Sequence, residues 1–148
     1  MLGTIRTLDT GMQRTIHEKI ALTASKIAES SGATAETSID KKTLVTYNDP
    51  ALTKKMLPSF IKAAGEQNVV ETEAVTGAED FSFFAEKVPS VFFFIGGMEK
   101  GKDPKTAFPH HTPDFSIDEG SMKTGVKAFC HLVFDYMQSA NTPSKKAF

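Results

Sequence analysis

Apolar residues recur along this chain with two different periods, and the changes of period divide it into elements. Thr4 to Leu8 alternates as a strand would, with almost no leader before it. Asp9 and Thr10 then offer helix caps, and Met12, Ile16, Ile20, Ala24, Ile27 and Ala28 follow at helical spacing until Ser30-Ser31-Gly32 stops them. Two β-prone stretches, ATAETSI and TLVTYN, flank the polar break Asp40-Lys41-Lys42 and predict two short strands or one long bent one. Asp49-Pro50 opens a second helix whose buried face is Leu52, Met56, Leu57, Phe60, Ile61 and Ala64. Pro58 cannot donate to the carbonyl of Lys54 and should kink it. A further strand, VVETEAV, completes a split βαβ order that lacks its first strand.

The pattern changes at Thr76. TGAEDFSFF reads as a loop entering a short helix, and SVFFFIGG is an unbroken apolar run of the kind found in a strand covered on both faces. No second run of this kind exists in the chain, so such a strand would need sheet neighbours from elsewhere; this suggests a truncated unit. A polar, Pro-rich loop from Gly97 to Ser116 is longer than most connections and is a functional candidate. Ser116 and Glu119 have capping-box spacing ahead of a last helix with the stripe Met122, Val126, Phe129, Val133, Tyr136 and Met137, expected to pack on the buried strand. From Gln138 the tail has little to bury and reads as disordered.

Composition narrows the functional classes. In 148 residues, 40% are hydrophobic and 24% charged, as in a soluble globular protein, and the 12 Phe supply core material. With 17 basic and 18 acidic residues the net charge of -1 leaves no footprint for nucleic acid or an anionic membrane. No apolar stretch approaches the roughly 20 residues that span a bilayer. The single Cys130 excludes an internal disulfide framework and reads as inert packing on a buried helix. Compartment stays open: the chain as given reads as cytoplasmic, and a leader upstream would make it secreted or periplasmic.

The candidate chemistry is sparse. His110 and His111 lie between Pro109 and Thr112-Pro113, where the prolines stiffen the backbone, and neutral imidazole is a common zinc donor. On extended backbone, adjacent side chains point opposite ways, so one of the pair should face a given site. The alternative is a solvent-exposed loop pair. Glu79 and Asp80, after Gly77, could line a site where a strand enters a helix; equally, Asp80 or Thr76 could cap that helix while Glu79 favours its first turn. Arg6 could grip a substrate carboxylate with its fork, or serve only solubility. His17 and His131 sit on polar helix flanks and read as surface residues. No nucleophile-elbow, phosphate-loop or dinucleotide glycine pattern is present.

Taken in order, GTIRTLD, GAEDFSFFAEKVPSVFFFIGG and HHTPDFSIDE resemble segments of the aminoacylase and carboxypeptidase-like zinc amidohydrolases, especially those of the hippurate hydrolase and indole-acetyl-amino-acid hydrolase type. The resemblance covers nearly the whole chain. It implies an α/β (α+β) fold: a ferredoxin-like lid and dimerisation domain over residues 3–75, lacking its first strand, then a carboxy-terminal segment of the catalytic α/β domain over 76–137, with 138–148 as tail. It also implies hydrolysis of the amide bond of N-acyl amino acids or small peptides by an enzyme holding two divalent metal ions, zinc first, with manganese or cobalt as alternatives, and dimerising through its lid. His111, before Thr112 and Pro113, takes the place of the last metal ligand. The stretch Gly77 to Asp80, with Glu79, takes a substrate-side position and His110 that of the ligand's neighbour, at most touching substrate; Arg6 stays a substrate-binding candidate on its own chemistry alone.

The family's other ligands, its paired glutamates and its lid histidine have no counterpart here, so the chain alone is expected to be inactive. One histidine cannot hold zinc, which needs three or four ligands. Two rival readings stay open: a non-catalytic dimerisation or ligand-binding module, and an inactive gene fragment. The doubly covered VFFFI run and the proline-framed histidines weigh against a lid-like module standing alone.

Overall fold

The computed structural model describes residues 1–141. Four helices organise them: α1 (Thr10–Ser30), α2 (Pro50–Ala64), α3 (Ser82–Lys87) and α4 (Gly120–Asn141), with single 3-10 turns at Glu66–Asn68 and Pro104–Thr106. The helix α4 continues past Gln138, where the tail was expected to begin, and the rest of that tail lies outside the described residues.

The α/β expectation is overturned, because no strand forms among the described residues. The ferredoxin-like lid and the sheet of an α/β catalytic domain are therefore not seen. The runs TIRTL, ATAETSI, TLVTYN, VVETEAV and VFFFI carry β-prone residues, but a strand is defined by a repeating ladder with a neighbour. Here the long-range main-chain bonds come singly. Asp49 N–H donates to the Ser90 carbonyl at 2.9 Å, and Asp118 N–H to the Gly97 carbonyl at 2.7 Å. At Phe92 a side chain substitutes for a ladder: the Asn48 amide donates to the Phe92 carbonyl (2.8 Å) and accepts from the Phe92 N–H (2.6 Å).

The chain divides into two compact units, residues 1–49 with 72–92, and residues 50–71 with the chain from Phe93 onward. In the first unit, α1 begins where Asp9 accepts from the Met12 N–H. It ends in a Schellman motif, with Ala33 N–H bonding the Ala28 carbonyl and Gly32 at φ 67° bonding that of Glu29. None of its residues is fully buried, so the stripe from Met12 to Ala28 is not a closed core face. Ser82, at the start of α3, is 1% exposed, and its hydroxyl accepts from the Leu44 N–H at 3.2 Å. Phe81 and Phe92 stack with ring centroids 5.4 Å apart.

The second unit is built on α2 and α4. Met56 and Ala128 are its buried apolar centre, and Ser59 lies fully buried beside them. Phe60 meets Phe93 edge to face at 4.8 Å, and Phe93 meets Phe129 at 5.3 Å. Gly125 lets the segment 93–97 approach closely, since a Cβ there would stand 2.6 Å from the end of Ile95. The Ser59 hydroxyl (2.7 Å) and Lys62 ammonium (2.9 Å) both donate to one Asp135 oxygen, which ties the two helices together. Lys62, then Ser59, holds the Asp135 carboxyl below its ordinary range. The helix α2 runs through Pro58 and stops at Gly65, whose φ of 87° favours glycine.

Three expectations about α4 need correction. Its start is capped by Asp118, whose carboxylate accepts from the Gly120 N–H at 2.9 Å, rather than by a Ser116–Glu119 box. Its predicted core stripe is not a closed core face: Met122, Val126, Phe129, Val133, Tyr136 and Met137 are each about half exposed or more, while the buried positions are the small Ala128 and Gly125, the latter against Ile95; of the stripe, Phe129 touches Phe93 and Tyr136 lies under the Lys55 ammonium of α2. Cys130 is exposed as well, contrary to the inert, buried role its neighbours suggested.

Candidate functional site

The long loop between Gly97 and α4 is held by short-range bonds. The Asp103 side chain accepts from the Lys105 N–H (3.0 Å) to fix the 3-10 turn after it. Across the histidines, the Thr112 hydroxyl donates to the Pro109 carbonyl (2.8 Å), and Phe115 N–H donates to the Thr112 carbonyl (3.2 Å). This tight turn places His111 at φ 66°, the one non-glycine residue with positive φ among the described residues. A histidine in that region is strained by its Cβ.

The two histidines are thereby made different. The His110 ring lies against Phe115, with centroids 4.7 Å apart. The His111 ring is exposed. The expectation that alternation along an extended backbone would separate them does not hold, since the turn is not extended at His111. His17 and His131 are half-buried rather than fully on the surface, and His131 lies near Asp135, whose carboxyl is held low chiefly by Lys62 and Ser59.

In the other unit, the Arg6 guanidinium donates to the Thr76 carbonyl at 2.8 Å, so the predicted Arg6 and Gly77 positions are brought side by side. Glu79 is half-buried and its carboxylate accepts a long bond (3.5 Å) from the Phe81 N–H. Asp80 is exposed, and the cap of α3 is made by no side chain, which removes the structural role that Asp80 or Thr76 might have filled there. Arg6, Gly77, Glu79 and Asp80 belong to one unit, and His110 and His111 to the other.

An open cleft of about 400 Å³ in the first unit runs between Asp9, Lys41, Tyr47, Ser82 and Glu86. It contains none of the catalytic, metal or substrate-binding candidates drawn from the sequence; Asp9, Thr10 and Lys41 were read there only as cap and turn residues. Among the described residues, no three His, Cys, Asp or Glu side chains come close enough to hold a metal ion. The donor set present therefore does not fit a metal on its own. No described helix is long and apolar enough to cross a membrane.

Residues 8–135 match the profile of the family described as Peptidase family M20/M25/M40. The chain is 33% identical over 137 residues to thermostable carboxypeptidase 2 of Saccharolobus solfataricus, covering 92% of this chain and 34% of that protein. Thermostable carboxypeptidase 1 of the same organism is similarly 33% identical, with the same coverage. An N-acetyldiaminopimelate deacetylase of Streptococcus uberis is 31% identical over 131 residues, covering 86% of this chain and 33% of the deacetylase. The chain thus spans about a third of the length of these relatives. No solved structure matches it.

Proposed function

Because this chain belongs to Peptidase family M20/M25/M40, we propose that it forms part of a metal-dependent amidohydrolase that cleaves the amide bond of N-acyl amino acids or small peptides. In this reading His111 is a ligand of a divalent metal, zinc first, with manganese or cobalt as alternatives, in a centre of two ions. Residues 3–75 serve as a lid and dimerisation region, and 76–137 belong to the catalytic part. Arg6, Gly77, Glu79, Asp80 and His110 face the substrate.

The observation that carries the reading is the family match over residues 8–135, joined to the state of His111. Backbone strain at an exposed residue is a pointer to function, since folding alone would favour glycine there. Support for amide chemistry comes from the relatives, whose names describe carboxypeptidases and a deacetylase. The remaining ligands and the proton-transferring carboxylate would have to come from outside these residues, because those described here do not close a metal site.

The test joins this chain to the amino-terminal two-thirds of one of the thermostable carboxypeptidases and follows release of free amino acid from N-acetyl and N-benzoyl substrates. Metal-dependent turnover by the joined protein, with none from the chain alone, is expected. Turnover by the chain alone, or a folded joined protein that binds metal yet hydrolyses none of these amides, would refute it.

A further inference from the structure

The Arg6 guanidinium meets the backbone 70 residues further along, where its Nη1–H donates to the Thr76 carbonyl at 2.8 Å. What it reaches is a segment with little else to hold it. Residues 70–78 are exposed throughout and form no helix or strand, and among the described residues the Arg6 bond is the hydrogen bond that ties them to the rest of the chain. Packing offers no substitute, since nothing lies within 4 Å of where a Cβ on Gly77 would stand. The stretch that follows is anchored only at its far end. There the Glu79 and Asp80 carbonyls accept from the Ser82 and Phe83 N–H groups at 3.3 and 3.0 Å, and Ser82 is itself buried and bonded to the Leu44 N–H.

Arg6 hangs from a braced base. The Thr7 hydroxyl donates to the Asp9 carbonyl at 3.1 Å, and the Asp9 carboxylate caps α1. We infer that Arg6 is a positioning residue: through the Thr76 carbonyl it pins the open end of the stretch Gly77 to Asp80, whose other end is pinned by α3, and so holds Glu79 and Asp80 in place for substrate. This role rests on the reading of that stretch as substrate-facing.

The chemistry suits it, because a charged donor makes a shorter and stronger bond to a carbonyl than a neutral one does. The rival role for Arg6 is to grip a substrate carboxylate directly. That grip uses two parallel N–H bonds of a planar fork, which lysine cannot copy, whereas lysine can copy a single bond to a carbonyl. The variant Arg6→Lys therefore separates the two roles.

Backbone nitrogen relaxation by NMR on the full chain, without metal or substrate, reads the order of the Gly77 and Ala78 amides. The wild type should approach the rigid value of about 0.85 for the order parameter, Arg6→Ala should fall below about 0.6, and Arg6→Lys should stay with the wild type. Amide shifts of α1 and α4 that match the wild type show that each variant folds. In the chain joined to the amino-terminal part of a relative, Arg6→Ala should raise KM about five-fold, the worth of one hydrogen bond, with kcat nearly unchanged. Arg6→Lys should restore it. Unchanged order at Gly77 and Ala78 in Arg6→Ala overturns the inference. A KM raised equally by Arg6→Lys and Arg6→Ala also overturns it, and puts the fork on the substrate. A joined wild-type protein without turnover would sink the amidohydrolase reading, while the relaxation measurement still decides whether Arg6 holds the stretch.

Discussion

Replacing His111 by glycine should make the isolated chain more stable. At φ 66° the histidine Cβ is crowded by its own backbone, a cost of roughly 1–2 kcal/mol for an L residue in the left-handed region. Glycine escapes that cost but frees the unfolded chain, which costs about 0.5–1 kcal/mol in return. The exposed His111 ring loses no packing when removed, so the net gain is about 0.5–1 kcal/mol. His111→Ala keeps the Cβ and should gain nothing, which isolates the backbone as the cause. The loop is tied at its base by the bond between Asp118 and Gly97, so its strain registers when the α2–α4 unit unfolds. Urea denaturation followed by circular dichroism reads the effect as a rise in midpoint of a few tenths molar, given a slope of about 1–3 kcal/mol per molar. A glycine variant no more stable than the alanine variant would refute the strain argument, and with it the structural case for a special role at this position.

Met56→Ala should cost about 2–3 kcal/mol in the same denaturation experiment, because the side chain is 4% exposed between α2 and α4; its neighbour Leu57, 43% exposed, should cost less than about 1. Asp135 has its pKa depressed by Lys62 and Ser59, so its contribution to stability is present above the ordinary value of 3.8 and lost as pH falls through the lower folded value. An acid titration by circular dichroism should show the α2–α4 unit weakening below that value, and Asp135→Asn should flatten this part of the curve. His110→Ala should lose the ring contact with Phe115 and cost about 0.5–1.5 kcal/mol, read as a lower urea midpoint. Equilibrium dialysis of the chain alone against zinc should give less than one bound equivalent; a full equivalent held through chelator washing would contradict the incomplete donor set.

The helices were legible because their signals are local. Asp9 as cap, Gly32 as stop and Pro50 as first turn each act within a few residues of chain, and the structure uses all three; Gly65, which ends α2 at φ 87°, was not read from the sequence. The strands were not legible, since β-branched and aromatic composition marks a segment that could pair but not whether a partner is present. The same limit explains α4. Its apolar period was read correctly, but which of its faces meets α2 is set by Asp135 bonding Ser59 and Lys62 and by the small, buried Ala128, and no period reports that. For the site, the sequence picked out the two histidines but not what distinguishes them, because the contact of His110 with Phe115 and the left-handed turn at His111 arise only in three dimensions. The cleft beside Lys41 and Glu86 was not read as a site, because its residues Asp9, Thr10 and Lys41 signal only a cap and a turn when taken locally.

The claim on which the functional account rests is that His111, and not His110, binds a metal ion. It is tested by atomic emission measurement of metal content in this chain joined to a matching amino-terminal part, with turnover recorded on the same samples. His111→Ala should lose one of the two ions and nearly all turnover, since a missing donor leaves that ion an open, solvated position, while His110→Ala should keep both ions and act more mildly. Full metal occupancy in the His111 variant, with loss in the His110 variant, would contradict the assignment.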